Sequence, residues 1–171
     1  MKVGILTNEN SRIMAIASAS GILEETNRQL ERLGKEPAFE IDMIGAKHKN
    51  VHPCMHVMLS CHKNIEEVKT VYDLLIIPAY YKPSDLSESE RSFIPFLQDQ
   101  YKSGAEIAAM CTGSFLLAEA ELLNDVPVTT HWGYKEMFEQ KYPHITLKSE
   151  RIITDSKGIY TSGAAMSSLN T

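Results

Sequence analysis

Cys111 lies in the run Ala105-Glu106-Ile107-Ala108-Ala109-Met110-Cys111-Thr112-Gly113-Ser114, an apolar stretch that passes through a Gly-containing turn into Phe115-Leu116-Leu117-Ala118. Strand, sharp turn and helix in that order expose a side chain at the strand's carboxyl end. They also set it against the positive end of a helix, which favours a thiolate. Backbone N–H groups after the cysteine would then face a pocket able to hold an oxyanion or a carboxylate. His131 could orient or deprotonate the thiol as a Cys–His pair requires. Both residues also have plainer readings. A free cysteine is most often a small buried hydrophobe, and a histidine with no identifiable third group is as readily a hydrogen-bonded structural residue. Spacing alone leaves these readings open. Trp132, the only tryptophan, is expected to fill core rather than to wall the pocket.

A second concentration of reactive side chains runs from His48 to His62 and contains His48, His52, Cys54, His56, Cys61 and His62. Such groups are the usual zinc ligands. However, Pro53 and the alternating Met55, Val57 and Leu59 predict loop and strand, so the four-residue steps between histidines do not share a helix face. On a strand, Cys54, His56 and Met58 would share one face. The spacing matches no standard zinc motif, and no metal or other cofactor is expected.

The elements that must carry Cys111 can be read from periodicity. Val3 to Leu6 predicts a buried strand, and Ile16, Ala19, Leu23, Leu30 and Leu33 recur at helical spacing until Gly34. Phe39, Ile41 and Met43 alternate as a strand, and Val71 to Ile77 is an apolar run closed by Pro78. Ser87 and Glu90 form a capping box for a helix with Phe93, Phe96 and Leu97, which Pro95 is expected to kink and Gly104 to end. Ile152 to Thr154 and Ile159 to Thr161 flank Asp155-Ser156-Lys157-Gly158 as a hairpin, and the last ten residues read as the start of a helix. Strands alternating with helices predict an α/β sandwich with a mostly parallel sheet.

Composition narrows the function classes. The chain has 171 residues and is 43% hydrophobic, which suits one domain with a sizeable core. A formal charge of -5 gives no basic surface for nucleic-acid phosphates, so this chain alone is not expected to bind DNA. Its apolar runs are strand-sized and its mean hydropathy is -0.20, so no membrane segment is expected. The N-terminus lacks the features of a signal peptide and three cysteines cannot all pair, which points to the cytoplasm.

The segment from Ala108 to Leu123, the tetrapeptide Thr129-Thr130-His131-Trp132 and the late Tyr160-Thr161-Ser162-Gly163 together resemble the ThiJ/PfpI superfamily of class I glutamine amidotransferase-like domains. Within it they are most similar to the N-terminal ligand-sensing domain of AraC-type transcriptional regulators. Stand-alone isonitrile-hydratase-like enzymes share the motifs. The resemblance covers nearly the whole chain, from Lys2 to about Thr171, and implies a single flavodoxin-like three-layer domain over 1–171.

Carried over, the resemblance makes Cys111 the nucleophile-elbow cysteine, His131 the pocket histidine and Ala79-Tyr80 the oxyanion-hole loop. It implies a ligand-binding set of Ala79, Tyr80, Cys111, Thr112, His131 and Trp132. Three positions depart from the enzymatic pattern. Ala15 stands where enzymes place an acid that hydrogen-bonds the nucleophile, Pro78-Ala79-Tyr80 replaces Pro-Gly-Gly, and Asn170 replaces a late acidic residue. Glu9 is the one nearby substitute acid. The implied function is a non-catalytic sensing domain that binds a small-molecule effector and forms a homodimer. DNA would be reached only through a helix-turn-helix domain beyond Thr171. The alternatives are an isonitrile-hydratase-like or amidase-like enzyme using Cys111, and a redox-responsive or structural dimerisation domain.

Overall fold

The structure is a computed structural model that describes residues 1–54 and 56–163. The expected helix at the chain's end falls outside the described residues. Strand β1 (Lys2–Thr7) leads through a tight loop into helix α1 (Ile13–Arg32), and Gly34 adopts φ +68 just past its end. Strand β2 (Glu40–Gly45), the hairpin β3 (Asn50–Cys54) and β4 (Val57–Ser60), and the short β5 (Lys63–Asn64) follow. Next come β6 (Leu74–Ile77), α2 (Glu88–Arg91), α3 (Phe93–Lys102), β7 (Glu106–Met110) and α4 (Ser114–Glu119). Helix α5 (Lys135–Lys141) and the hairpin β8 (Ile153–Ser156) and β9 (Ile159–Ser162) complete the described elements.

The main sheet runs β5-β2-β1-β6-β7-β9-β8. All its pairings are parallel except the edge pair β8–β9. The five long parallel strands thus follow the flavodoxin order, and the order in which successive strands are added to the sheet reverses between β1 and β6. This is the mostly parallel α/β sandwich expected from the alternation of strands and helices.

The two faces are covered unequally. Leu6, Ile44, Leu75, Ile77, Ile107 and Ala109 are buried in one core with Leu97, Phe115, Leu116 and Phe138 from α3, α4 and α5. On the opposite face Val3, Ile5 and Ile76 pack with Ile16 of α1. Farther along that face, Ala108 and Met110 of β7 and Tyr160 of β9 are only half-buried among the described residues. No helix of the described residues is long and apolar enough to cross a membrane.

Three details differ from the sequence reading. The helical segment after Ser87 is interrupted at Ser92 and restarts at Phe93, so Pro95 falls in the first turn of α3. Its missing N–H costs nothing there and no mid-helix kink arises. Val71 is exposed and the strand begins only at Leu74. Cys54 ends β3 while Val57 begins β4, so Cys54, His56 and Met58 do not form one strand face. His62 accepts the Met43 N–H through Nδ1 at 2.9 Å. Among the described residues no three His, Cys, Asp or Glu side chains converge on one point.

Candidate functional site

Cys111 has φ +56 and lies in a single 3-10 turn, Cys111–Gly113, between β7 and α4. A left-handed conformation at a non-glycine residue costs roughly 1–2 kcal/mol and persists only where its surroundings enforce it. Those surroundings are visible. The Ser114 and Thr130 hydroxyls lie 2.9 Å apart, and both reach the Cys111 carbonyl, at 3.1 and 3.3 Å. Gly113 lies so close to the end of β6 that a Cβ there would sit 2.7 Å from the Pro78 carbonyl oxygen and 2.9 Å from that of Ile77. The strand, turn and helix expected around Cys111 are therefore present, and glycine at position 113 is required by space.

Around the thiol the chemistry thins out. Cys111 is 6% exposed and shares a small buried cluster with Ala15 and Ala79, flanked by Met110. Ala15 thus occupies the place that the resemblance gives to an acid. Glu9 does not replace it: its carboxylate accepts a hydrogen bond from Ser89 at 3.2 Å and lies near Cys61, whose thiol burial and that charge push up to about 11. The loop after β6 is also committed. The Tyr80 N–H donates to Thr112 Oγ1 at 2.8 Å, and the Thr112 hydroxyl donates back to the Tyr80 carbonyl at 2.9 Å. One backbone donor expected for an oxyanion is therefore already used.

The loop between β1 and α1 clamps this segment from the other side. Ser11 and Tyr80 form an isolated antiparallel bridge, the Arg12 N–H donates to Ala79 at 2.7 Å, and the Tyr81 N–H donates to Asn10 at 3.0 Å. Arg12 places its guanidinium over the Tyr81 ring, 4.6 Å from the centroid, with Nε 3.4 Å from the Tyr80 carbonyl. Arg12, the residue that precedes α1, was missed in the sequence, although it stands only three positions before Ala15.

His131 and Trp132 form a stacked pair with ring centroids 5.4 Å apart. His131 Nδ1 accepts the Gly133 N–H at 3.1 Å, and among the described residues no hydrogen bond joins His131 to Cys111. Burial, and secondarily the Arg12 charge, hold the His131 pKa below its ordinary value. Trp132 is 78% exposed, which overturns the expectation that it fills core. The aromatic core is built instead from Phe115, Phe138 and Tyr142. The structure thus gathers Cys111, Ala79 and Ala15, ties Tyr80 to Thr112, and leaves His131 and Trp132 as a separate pair.

Residues 6–170 match the DJ-1/PfpI family. The chain belongs to that family. Among curated proteins it is 24% identical over 169 residues to the HTH-type transcriptional regulator GlxA of Rhizobium meliloti (strain 1021), an alignment covering 99% of this chain and 50% of the regulator. It is 31% identical over 67 residues to the isonitrile hydratase of Pseudomonas putida, covering 39% of this chain and 29% of that enzyme. Among solved structures, an AraC family transcriptional regulator from Pseudomonas putida superimposes with a TM-score of 0.76 at 16% identity. That match covers 96% of this chain and 84% of the other. This DJ-1/PfpI chain therefore spans half the length of the GlxA regulator it matches.

Proposed function

We propose that this DJ-1/PfpI chain is the effector-sensing, dimerising part of an AraC-like transcriptional regulator, and that Cys111 does not turn over a substrate. The observation that carries the non-catalytic reading is the company Cys111 keeps: Ala15 and Ala79, with no carboxylate and no hydrogen bond to His131 among the described residues. A general acid or base contributes about 10²–10⁴-fold, so its replacement by a methyl group leaves little turnover. Relatives named as transcriptional regulators, matched over only part of their length, support the regulatory half of the reading. In it the effector meets Cys111, His131 and Trp132, while Ala79, Tyr80 and Thr112 hold the turn behind them. A homodimer suits proteins that read two half-sites, and DNA contacts belong to a helix-turn-helix part outside this chain.

The gene read past the Thr171 codon tests the regulator. An open frame encoding a basic segment with helix-turn-helix pattern is the expected result, and an immediate stop codon overturns it. The strained backbone at Cys111 favours one other reading, a cysteine-dependent enzyme related to the isonitrile hydratase type or to amidases. Robust hydration or hydrolysis of a small nitrogen compound that Cys111→Ala abolishes would establish the enzyme in place of the silent elbow.

A further inference from the structure

Among the described residues two buried side-chain polar atoms have no hydrogen-bond partner, the amide Nδ2 of Asn8 and the hydroxyl of Tyr80. Both residues are 0% exposed, and they stand on either side of one seam. Asn8 belongs to the loop after β1 and Tyr80 to the loop after β6, the two strands between which the order of strand addition reverses. Loops that diverge at such a reversal ordinarily leave a crevice. Here they are fastened together.

The fastening is an antiparallel clasp. Ser11 pairs with Tyr80, the Arg12 N–H donates to the Ala79 carbonyl at 2.7 Å, and the Tyr81 N–H donates to that of Asn10 at 3.0 Å. The Asn10 side chain prolongs this ladder by one rung: its Oδ1 accepts the Lys82 N–H at 3.0 Å and its Nδ2 donates to the Lys82 carbonyl at 3.3 Å. Against these bonds stand the two orphaned groups. Burial, and secondarily the Glu90 charge, keep the Tyr80 phenol protonated, so it is a donor without an acceptor, and the Asn8 amide is another. Each forfeits its hydration while the clasp is closed and regains it when the loops part. Closing the clasp therefore makes some hydrogen bonds at the expense of others, which brings the open and closed arrangements close in free energy.

The clasp also bears on the thiol. The Arg12 carbonyl accepts the Ala15 N–H at 2.9 Å, so the bond from Arg12 to Ala79 sets Ala15 and Ala79 together against Cys111, which is 6% exposed. We propose that the clasp opens and closes within the folded chain and gates access to Cys111. Tyr80 stays tied to Thr112 while residues 8–12 swing away, which hydrates both orphaned groups and loosens Ala15 over the sulfur. Gating of an effector rests on the sensing reading above, whereas the motion itself does not.

Amide exchange followed by NMR in the 171-residue chain, with iodoacetamide labelling read at the Cys111 peptide, tests the gate. The Arg12 and Tyr81 amides are expected to exchange at least about a hundredfold faster than those of Ile5 and Ile76 within β1 and β6. Asn10→Ala, which removes the side-chain rung, is expected to speed both that exchange and Cys111 labelling about tenfold. Tyr80→Phe, which removes the orphaned hydroxyl and keeps the ring, is expected to slow both about threefold or more. Arg12 and Tyr81 amides as protected as those of Ile5 and Ile76 would overturn the motion, and so would wild-type exchange rates in both variants. Altered exchange with unchanged labelling would overturn the gate. If Asn10→Ala does not fold, Tyr80→Phe against the wild type decides. An immediate stop codon after Thr171 would overturn the regulator and leave these outcomes as they stand.

Discussion

Ala15 and Cys111, nearly a hundred residues apart in the chain, meet in one small buried cluster at the carboxyl edge of the sheet. The first turn of α1 and the tip of β7 are thereby packed methyl against thiol, at a place where a carboxylate would make the sulfur reactive. Ala15→Glu is expected to destabilise the fold by about 1–3 kcal/mol, because a buried carboxylate there has no donor waiting for it. Urea denaturation of the variant against the wild type measures this. No hydrolase activity is expected to appear, since the Tyr80 N–H remains bonded to Thr112. A variant as stable as the wild type would show that the cluster is open enough to accept an acid.

Gly113 is held by proximity rather than by backbone conformation. Its φ is -62, an ordinary helical value, yet a Cβ would meet two carbonyl oxygens of β6 and its following loop at under 3 Å. Gly113→Ala is therefore expected to cost about 1–3 kcal/mol by forcing backbone apart, where the same change at an open helical glycine would help slightly. Gly21 of α1, which has nothing within 4 Å of an added Cβ, is the internal control. Thermal melts of Gly113→Ala and Gly21→Ala should move in opposite directions.

Trp132 stands in water on the His131 ring, so its loss should cost the fold little. Trp132→Ala is expected to change stability by less than about 0.5 kcal/mol. Its native fluorescence should be red-shifted and readily quenched by iodide, whereas an indole in the core would be shielded. Quenching no greater than that of a buried indole would contradict the exposed placement.

How far the sequence carried the fold follows from which signals are local. The β1–α1 pair, the Ser87–Glu90 capping box, the strand–turn–helix at Cys111 and the β8–β9 hairpin all rest on short-range periodicity and turn chemistry. The turn Lys157-Gly158 even shows positive φ at both residues, as a tight hairpin demands. The site's failures of legibility are long-range. Nothing local says that Thr112 turns its hydroxyl onto the Tyr80 backbone, that Arg12 lies on Tyr81, or that Trp132 is exposed while Phe115, Phe138 and Tyr142 make the aromatic core. Likewise Pro95 looked like a kink only while the helix was assumed to run unbroken through Ser92.

Glu119 locks the helical layer beneath the elbow, and its titration gives the fold a pH signature. It ends α4, and its carboxylate accepts from Tyr142 at 2.7 Å and pairs with Lys141 at 2.7 Å and Arg91 at 3.0 Å. Burial alone would raise its pKa, but the bonds from Lys141 and Tyr142, the Lys141 charge and the Arg91 bond outweigh it and bring the value to about 2. The folded value therefore lies below the unfolded one, near 4.5. Stability from this group is complete above about pH 4.5 and is lost as pH falls from there towards 2. For this mostly buried carboxylate the contribution is about 2–3 kcal/mol. Glu119→Gln should lose about that much at pH 7, and the gap between variant and wild type should shrink to about half as the pH is lowered to about 3 and close only towards pH 2 and below. Urea midpoints of both proteins across that range decide the matter, and a gap that stays constant with pH would remove Glu119 as the source.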